Sequence, residues 1–140
     1  MRVPSENAET IGSSVAGIEQ SQVRQSILVV DDEENFLTLL HWFLTPRGYH
    51  VATAASAEDA LALLTSRAFE VALLDIKLGA VDGISLLEQL VQRSPELKVI
   101  MMTAYPTVSS IKQAFEKGAV RYLTKPVDLT ELAKAIKQLF

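Results

Sequence analysis

Five short runs rich in apolar residues recur along this chain, each followed by a stretch of helical periodicity. No other feature limits the fold as much. The runs are Ile27–Val30, Tyr49–Ala54, Val71–Leu74, Val99–Met102 and Arg121–Thr124. After the first, Phe36, Leu39, Leu40 and Phe43 share one face of a helix expected from Asn35 to about Thr45, which Pro46 and Gly48 stop. Ser56, with Asp59 three residues on, is placed to cap a second helix reaching Ser66. Gly83 opens a third, carrying Ile84, Leu86, Leu87, Leu90 and Val91. The spacing predicts a fourth helix over Val108–Lys117, closed by Gly118, and a fifth over Leu129–Phe140.

The order is therefore strand–helix, five times over. Strands such as Val71–Leu74, apolar at every position, suit a parallel sheet covered by helices on both sides. Right-handed crossovers leave few topologies for such a chain. The expected fold is α/β: a flavodoxin-like, doubly wound (βα)5 sandwich with parallel strand order 2-1-3-4-5.

Residues 26–140 form this domain, and residues 1–25 read as a flexible tail rich in Ser, Glu, Gln and Gly. Ile11, Val15 and Ile18 would share a helix face there, but Gly12, Ser13, Ser14 and Gly17 oppose a stable helix. Hydrophobic residues make up 49% of the chain, enough for a real core. The formal net charge of −4 and the lack of a basic stripe argue against direct nucleic-acid binding. With no cysteine, disulfides and thiolate metal sites are excluded. No apolar run approaches the ~18 residues of a membrane span, so a cytoplasmic protein is expected.

In sheets of this kind ligands gather at the carboxyl ends of the strands. Strand one ends in Asp31 and Asp32, strand three in Asp75, strand four in Thr103 and strand five in Lys125, followed by Pro126. Three carboxylates, a hydroxyl and an ammonium are thus expected at one edge. Crowded carboxylates repel, and a bound cation removes the conflict. Oxygen ligands alone favour Mg²⁺ as that cation, with Mn²⁺ as an alternative. Mg²⁺ keeps open positions for phosphate oxygens, Lys125 offers a compact positive charge, Thr103 a donor and Asp75 a nucleophile. The parts fit in-line phosphoryl transfer.

The segments "ILVVDDE", "VALLDIKLGAVDG", "VIMMTAY" and "KGAVRYLTKP", in this order and at these spacings, closely resemble the receiver domain of bacterial two-component response regulators. The resemblance spans Ser26 to Phe140. It implies that Asp75 is the phosphoacceptor and that Asp31 and Asp32 hold Mg²⁺ together with Asp75, Asp32 being the more direct ligand of the pair. It further implies that the backbone carbonyl of Lys77 completes the metal site, that Lys125 binds phosphate, and that Thr103 and Tyr122 are the switch residues. A cis bond is expected between Lys125 and Pro126. Lys77 and Tyr105 would flank the path of the water that hydrolyses the acyl phosphate.

The partners so implied are a sensor histidine kinase or phosphotransfer protein, and an output domain or downstream protein. A homodimer through the fourth helix, fifth strand and fifth helix is a further implied assembly. The segment "GAVRYLTKPVDLTEL" is most similar to receivers that precede ATPase or helix-turn-helix output domains. Since the chain stops at Phe140, it reads either as a stand-alone receiver or as one separated from its output domain. One departure stands out. The family usually has proline four residues after the phosphoacceptor, where this chain has Gly79, so the loop Lys77–Val81 is expected to be more mobile.

Three other readings fit less well. An aspartyl-phosphate phosphatase usually carries a second acid two residues after its nucleophile, and here that position is Lys77. A degenerate receiver that serves only as a binding module would normally lack one of these residues, and none is missing. A flavodoxin-like cofactor binder would have a glycine-rich loop after the first strand, where this chain places acids that repel a flavin phosphate. The domain is expected to be a signalling switch whose only chemistry is taking up and losing its own phosphoryl group.

Overall fold

The structure, a computed structural model, describes residues 25–140. The expected tail over residues 1–24 lies outside the described residues. Gln25, read from the sequence as the end of that tail, is instead the first residue of a strand.

Five parallel strands form the sheet: β1 (Gln25–Val30), β2 (Tyr49–Ala54), β3 (Val71–Asp75), β4 (Lys98–Thr103) and β5 (Ala119–Thr124). Their spatial order is β2-β1-β3-β4-β5, the flavodoxin-like order expected from the sequence. In register, Ile27 of β1 lies beside Val51 on one side and Val71 on the other, and Leu73 lies beside Ile100. Five helices alternate with the strands: α1 (Glu34–Leu44), α2 (Ala57–Ser66), α3 (Gly83–Arg93), α4 (Val108–Glu116) and α5 (Leu129–Gln138). Among the described residues no helix is long and apolar enough to cross a membrane.

Strand alternation sends side chains to two separate cores. Leu28, Val30, Ala72, Leu74, Val99 and Met101 face one way and pack beneath α2, α3 and α4, chiefly on Leu86, Leu87 and Leu90. Ile27, Val29, Val71, Leu73, Ile100 and Met102 face the other way and meet Leu37, Leu40 and Phe43 of α1 and Leu132 and Ile136 of α5. The two layers of helices cover both faces of the sheet.

The helix starts explain how the loops at the carboxyl edge are fixed. Ser56 caps α2 by accepting from the Asp59 amide, as its sequence position suggests. Asp128 caps α5 through the amides of Thr130 and Glu131 at 2.8 and 3.2 Å. Asp128→Ala is expected to lose about 1 kcal/mol in urea unfolding, as loss of an N-cap usually does; an unchanged midpoint would mean that the cap is not supporting α5. Glu33 occupies the N-cap of α1 but makes no side-chain bond there, so its acid serves the helix dipole alone.

The segment after β3, expected as a loop more mobile than usual, carries two short strands. Lys77–Leu78 and Val81–Asp82 pair as a small antiparallel hairpin, with Lys77 opposite Asp82. Gly79 begins its two-residue turn at φ +59°, a conformation that glycine adopts without steric cost and proline cannot adopt.

Candidate functional site

β1 runs into Asp31, whose amide still bonds Ala54 of β2 at 3.1 Å. That bond and the helix that follows turn the Asp31 carboxylate inward, where it is fully buried. One of its oxygens accepts the Glu33 amide at 2.9 Å, and the other meets Lys125 Nζ at 2.6 Å. Asp75 closes β3. Its Oδ1 accepts the Lys77 amide at 3.1 Å, and its Oδ2 meets Lys125 Nζ at 3.1 Å. Asp32 lies at the exposed rim, where its Oδ2 accepts the Gly79 amide at 3.0 Å. A proline in place of Gly79 would have no such donor.

Asp31, Asp32 and Asp75 each offer an oxygen, and these oxygens all lie within 4.8 Å of one another. Thr103, buried at the end of β4, accepts the Tyr105 amide on its hydroxyl at 3.2 Å. Its carbonyl accepts the Lys125 amide at 2.7 Å, which ties the start of the Lys125 side chain to the adjacent strand end. The Lys125–Pro126 bond is cis. Asp32, Asp75, Lys77, Thr103 and Tyr105 border one open cleft of about 780 Å³.

Tyr122 is set apart from this cluster. Its hydroxyl lies 3.0 Å from Ser110 Oγ in the first turn of α4. Ser110 is itself half of a reciprocal cap with Thr107, receiving the Thr107 amide on its hydroxyl while its own amide bonds Thr107 Oγ1. The sequence hides that cap, because the usual pattern carries Glu or Gln where this chain has Ser110. Phe36 was also missed as a site residue. Its spacing marks it as part of the core face of α1, yet its ring lies 4.6 Å beneath Lys125 Nζ.

The electrostatics follow from three carboxylates facing one ammonium. Burial pushes the Asp31 carboxyl above its ordinary value, and the nearby Asp75 charge adds to the rise; the bonds from Lys125 and the Glu33 amide offset it only in part. For Lys125 burial pulls downward, but its bonds to Asp31 and Asp75 outweigh that and hold its pKa above the ordinary lysine value. The donor set suits a hard divalent cation: it is all oxygen, closely spaced and short of positive charge.

The sign of the Asp31 shift makes a testable statement about stability. A carboxyl whose folded-state pKa is raised destabilises the native state at neutral pH and ceases to do so once protonated. In metal-free buffer, the stability of the wild type relative to Asp31→Asn should therefore rise as pH falls from neutral toward the ordinary carboxyl value of 3.8. Urea midpoints of the two proteins across that range measure this. A difference that stays flat would show that burial of Asp31 is not the controlling influence.

The sequence matches the family described as the response regulator receiver domain over residues 27–137. It is 36% identical over 112 residues to the transcriptional regulatory protein ZraR of Salmonella typhimurium, covering 80% of this chain and 25% of that protein. The chain thus spans about a quarter of the length of that relative. It is 33% identical over 116 residues to sporulation initiation phosphotransferase F of Bacillus subtilis, covering 83% of this chain and 94% of the other. Among solved structures it resembles a Burkholderia pseudomallei response regulator described with a phosphorylated aspartic acid, a calcium ion and citrate. That match has a TM-score of 0.75 and 33% identity, and it covers 78% of this chain and 64% of that one.

Proposed function

The chain belongs to the response regulator receiver domains, and from that premise we propose that it is a phosphorylation-dependent switch whose acceptor is Asp75. The observation that carries the reading is the placement of the Asp75 carboxylate. It stands at the end of β3, beside two further acids and within reach of the Lys125 ammonium, and it borders an open cleft. The solved relative with a phosphorylated aspartic acid and a calcium ion supports an acyl phosphate and a divalent cation on this fold.

In the proposed reaction a carboxylate oxygen of Asp75 attacks the phosphorus of a phosphohistidine on a sensor kinase or phosphotransfer protein. The P–O bond forms as the P–N bond breaks, and the electron pair returns to the imidazole. Asp31, Asp32, Asp75 and the Lys77 carbonyl would hold Mg²⁺, which when bound neutralises charge on the phosphoryl oxygens. Lys125 neutralises a further oxygen and Thr103 donates its hydroxyl to another. The chain acts as a receiver rather than a turnover enzyme, and hydrolysis of its own acyl phosphate resets it. Lys77 and Tyr105, at the edges of the cleft, flank the approach of the attacking water.

The readout runs from Thr103 to Tyr122. When Thr103 moves toward the phosphoryl group, the space it leaves admits the Tyr122 ring. Tyr122 then gives up Ser110, so the start of α4 changes its bonding. Exposed Val108, Phe115 and Val120 lie on α4 and β5 beside that change. This face is proposed to contact an output domain, a downstream protein or a second receiver.

Incubation with Mg²⁺ and acetyl phosphate, followed by intact-mass measurement, tests the reading. One labile phosphoryl adduct is expected on the wild type, and none after chelation of the metal. An unmodified wild type in excess Mg²⁺ would point instead to a constitutive binding module.

A further inference from the structure

Lys125 carries four rotatable bonds, and ordering such a side chain costs rotamer entropy. Two carboxylates hold its Nζ, at 2.6 Å from Asp31 and 3.1 Å from Asp75. Both contacts are of a kind that changes during the proposed reaction. A phosphoryl group on Asp75 takes over one carboxylate oxygen, and a cation on Asp31 competes for the other. The third contact involves no group that takes up phosphate or metal. The face of Phe36 lies 4.6 Å from Nζ, in the first turn of α1, where the Phe36 amide bonds the Glu33 carbonyl at 3.0 Å. The ring is anchored against the core shared by α1 and α5. An ammonium over an aromatic face is attracted by the ring quadrupole, and the attraction grows when water is partly excluded. The Lys125 side chain is only 16% exposed.

The geometry points to Phe36 as a positioning residue that supports the Lys125 ammonium from below and keeps it aimed at the phosphoryl site while its carboxylate partners exchange. This rests on the phosphoacceptor reading of Asp75, and it adds a residue that neither the motif spacing nor the acid cluster reveals. Phe36 touches no reacting atom; it acts through Lys125.

The test replaces Phe36 in the full chain with mono-, di- and trifluorophenylalanine and with leucine. Rates of modification by acetyl phosphate at saturating Mg²⁺ are followed by intact mass. Fluorination leaves shape and packing nearly unchanged but drains the ring face of negative potential. The rate is therefore expected to fall stepwise along the series, reaching a loss of about threefold to tenfold for trifluorophenylalanine and leucine, while Phe36→Trp retains the wild-type rate. A second readout needs no phosphorylation. The ε-methylene protons of Lys125 should be shifted upfield by the ring current in the wild type and return to ordinary values in Phe36→Leu. A normal wild-type rate that stays flat across the series overturns the role of Phe36 and leaves Asp75 as acceptor. An unmodified wild type overturns the acceptor reading and, with it, the role given to Phe36.

Discussion

Gly83→Ala is expected to destabilise the domain by about 3 kcal/mol, with a fall of roughly 10 °C in Tm. A Cβ at this position would sit 2.2 Å from the Asp75 carbonyl oxygen, 2.6 Å from the Ile76 carbonyl oxygen and 2.7 Å from Ile76 Cα. All three are backbone atoms, so no side chain can swing aside. α3 starts at Gly83 and carries Leu86, Leu87 and Leu90 into the core, so it cannot simply withdraw. The strain must therefore fall on the end of β3, the segment that aims Asp75. Two measurements follow from this. Urea unfolding should show the loss of stability, and the protein that remains folded at low temperature should take up phosphate far more slowly than the wild type. A loss below about 1 kcal/mol would show that the close approach of α3 to β3 is easily relieved.

Lys125→Met is expected to be the second most damaging change, and the damage should depend on metal. Without its ammonium, the fully buried Asp31 and the neighbouring Asp75 face each other unpaired. Breaking a buried pair on one side commonly costs about 3–5 kcal/mol; protonation of Asp31 and the partial exposure of Lys125 bring the expectation down to about 2 kcal/mol. Millimolar Mg²⁺ should restore most of that loss, because a cation that binds only the folded acids stabilises by mass action. Asp31→Asn in the same background should restore it without metal. Phosphoryl uptake should remain impaired in every case, since Mg²⁺ does not replace the donor that Lys125 supplies. A Lys125→Met protein as stable as the wild type in chelator would show that the three acids do not need this ammonium.

Much of the fold was legible because each level of the sequence agrees. Ile27–Val30 and Val71–Leu74 are apolar at every position, which suits strands covered on both faces, and both lie in the sheet interior. The periodic face of α1 ends at Pro46 and Gly48, and the chain turns there with Gly48 at φ +96°. Parallel topology then brings Asp31, Asp75, Thr103 and Lys125 to one edge by strand order alone. Features that depend on two or three residues were not legible. The hairpin of Lys77–Leu78 with Val81–Asp82 is too short for any periodicity, and its tie to the site is a backbone amide, that of Gly79 to Asp32. The register shift between β4 and β5 near Val99 and Ile100 leaves no trace in composition. Phe36 satisfies the helical pattern as a core residue, and only its place in the first turn, at the sheet edge, puts it under Lys125.

Residue-level trapping tests the central claim most directly. The wild type and Asp75→Asn are treated with acetyl phosphate and Mg²⁺, then reduced with borohydride, which converts an aspartyl phosphate to homoserine, and digested for tandem mass spectrometry. Homoserine at position 75 alone, absent from the Asp75→Asn protein, is the expected result. Homoserine at Asp31 or Asp32, or an Asp75→Asn protein modified as readily as the wild type, would contradict the assignment of Asp75 as the phosphoacceptor.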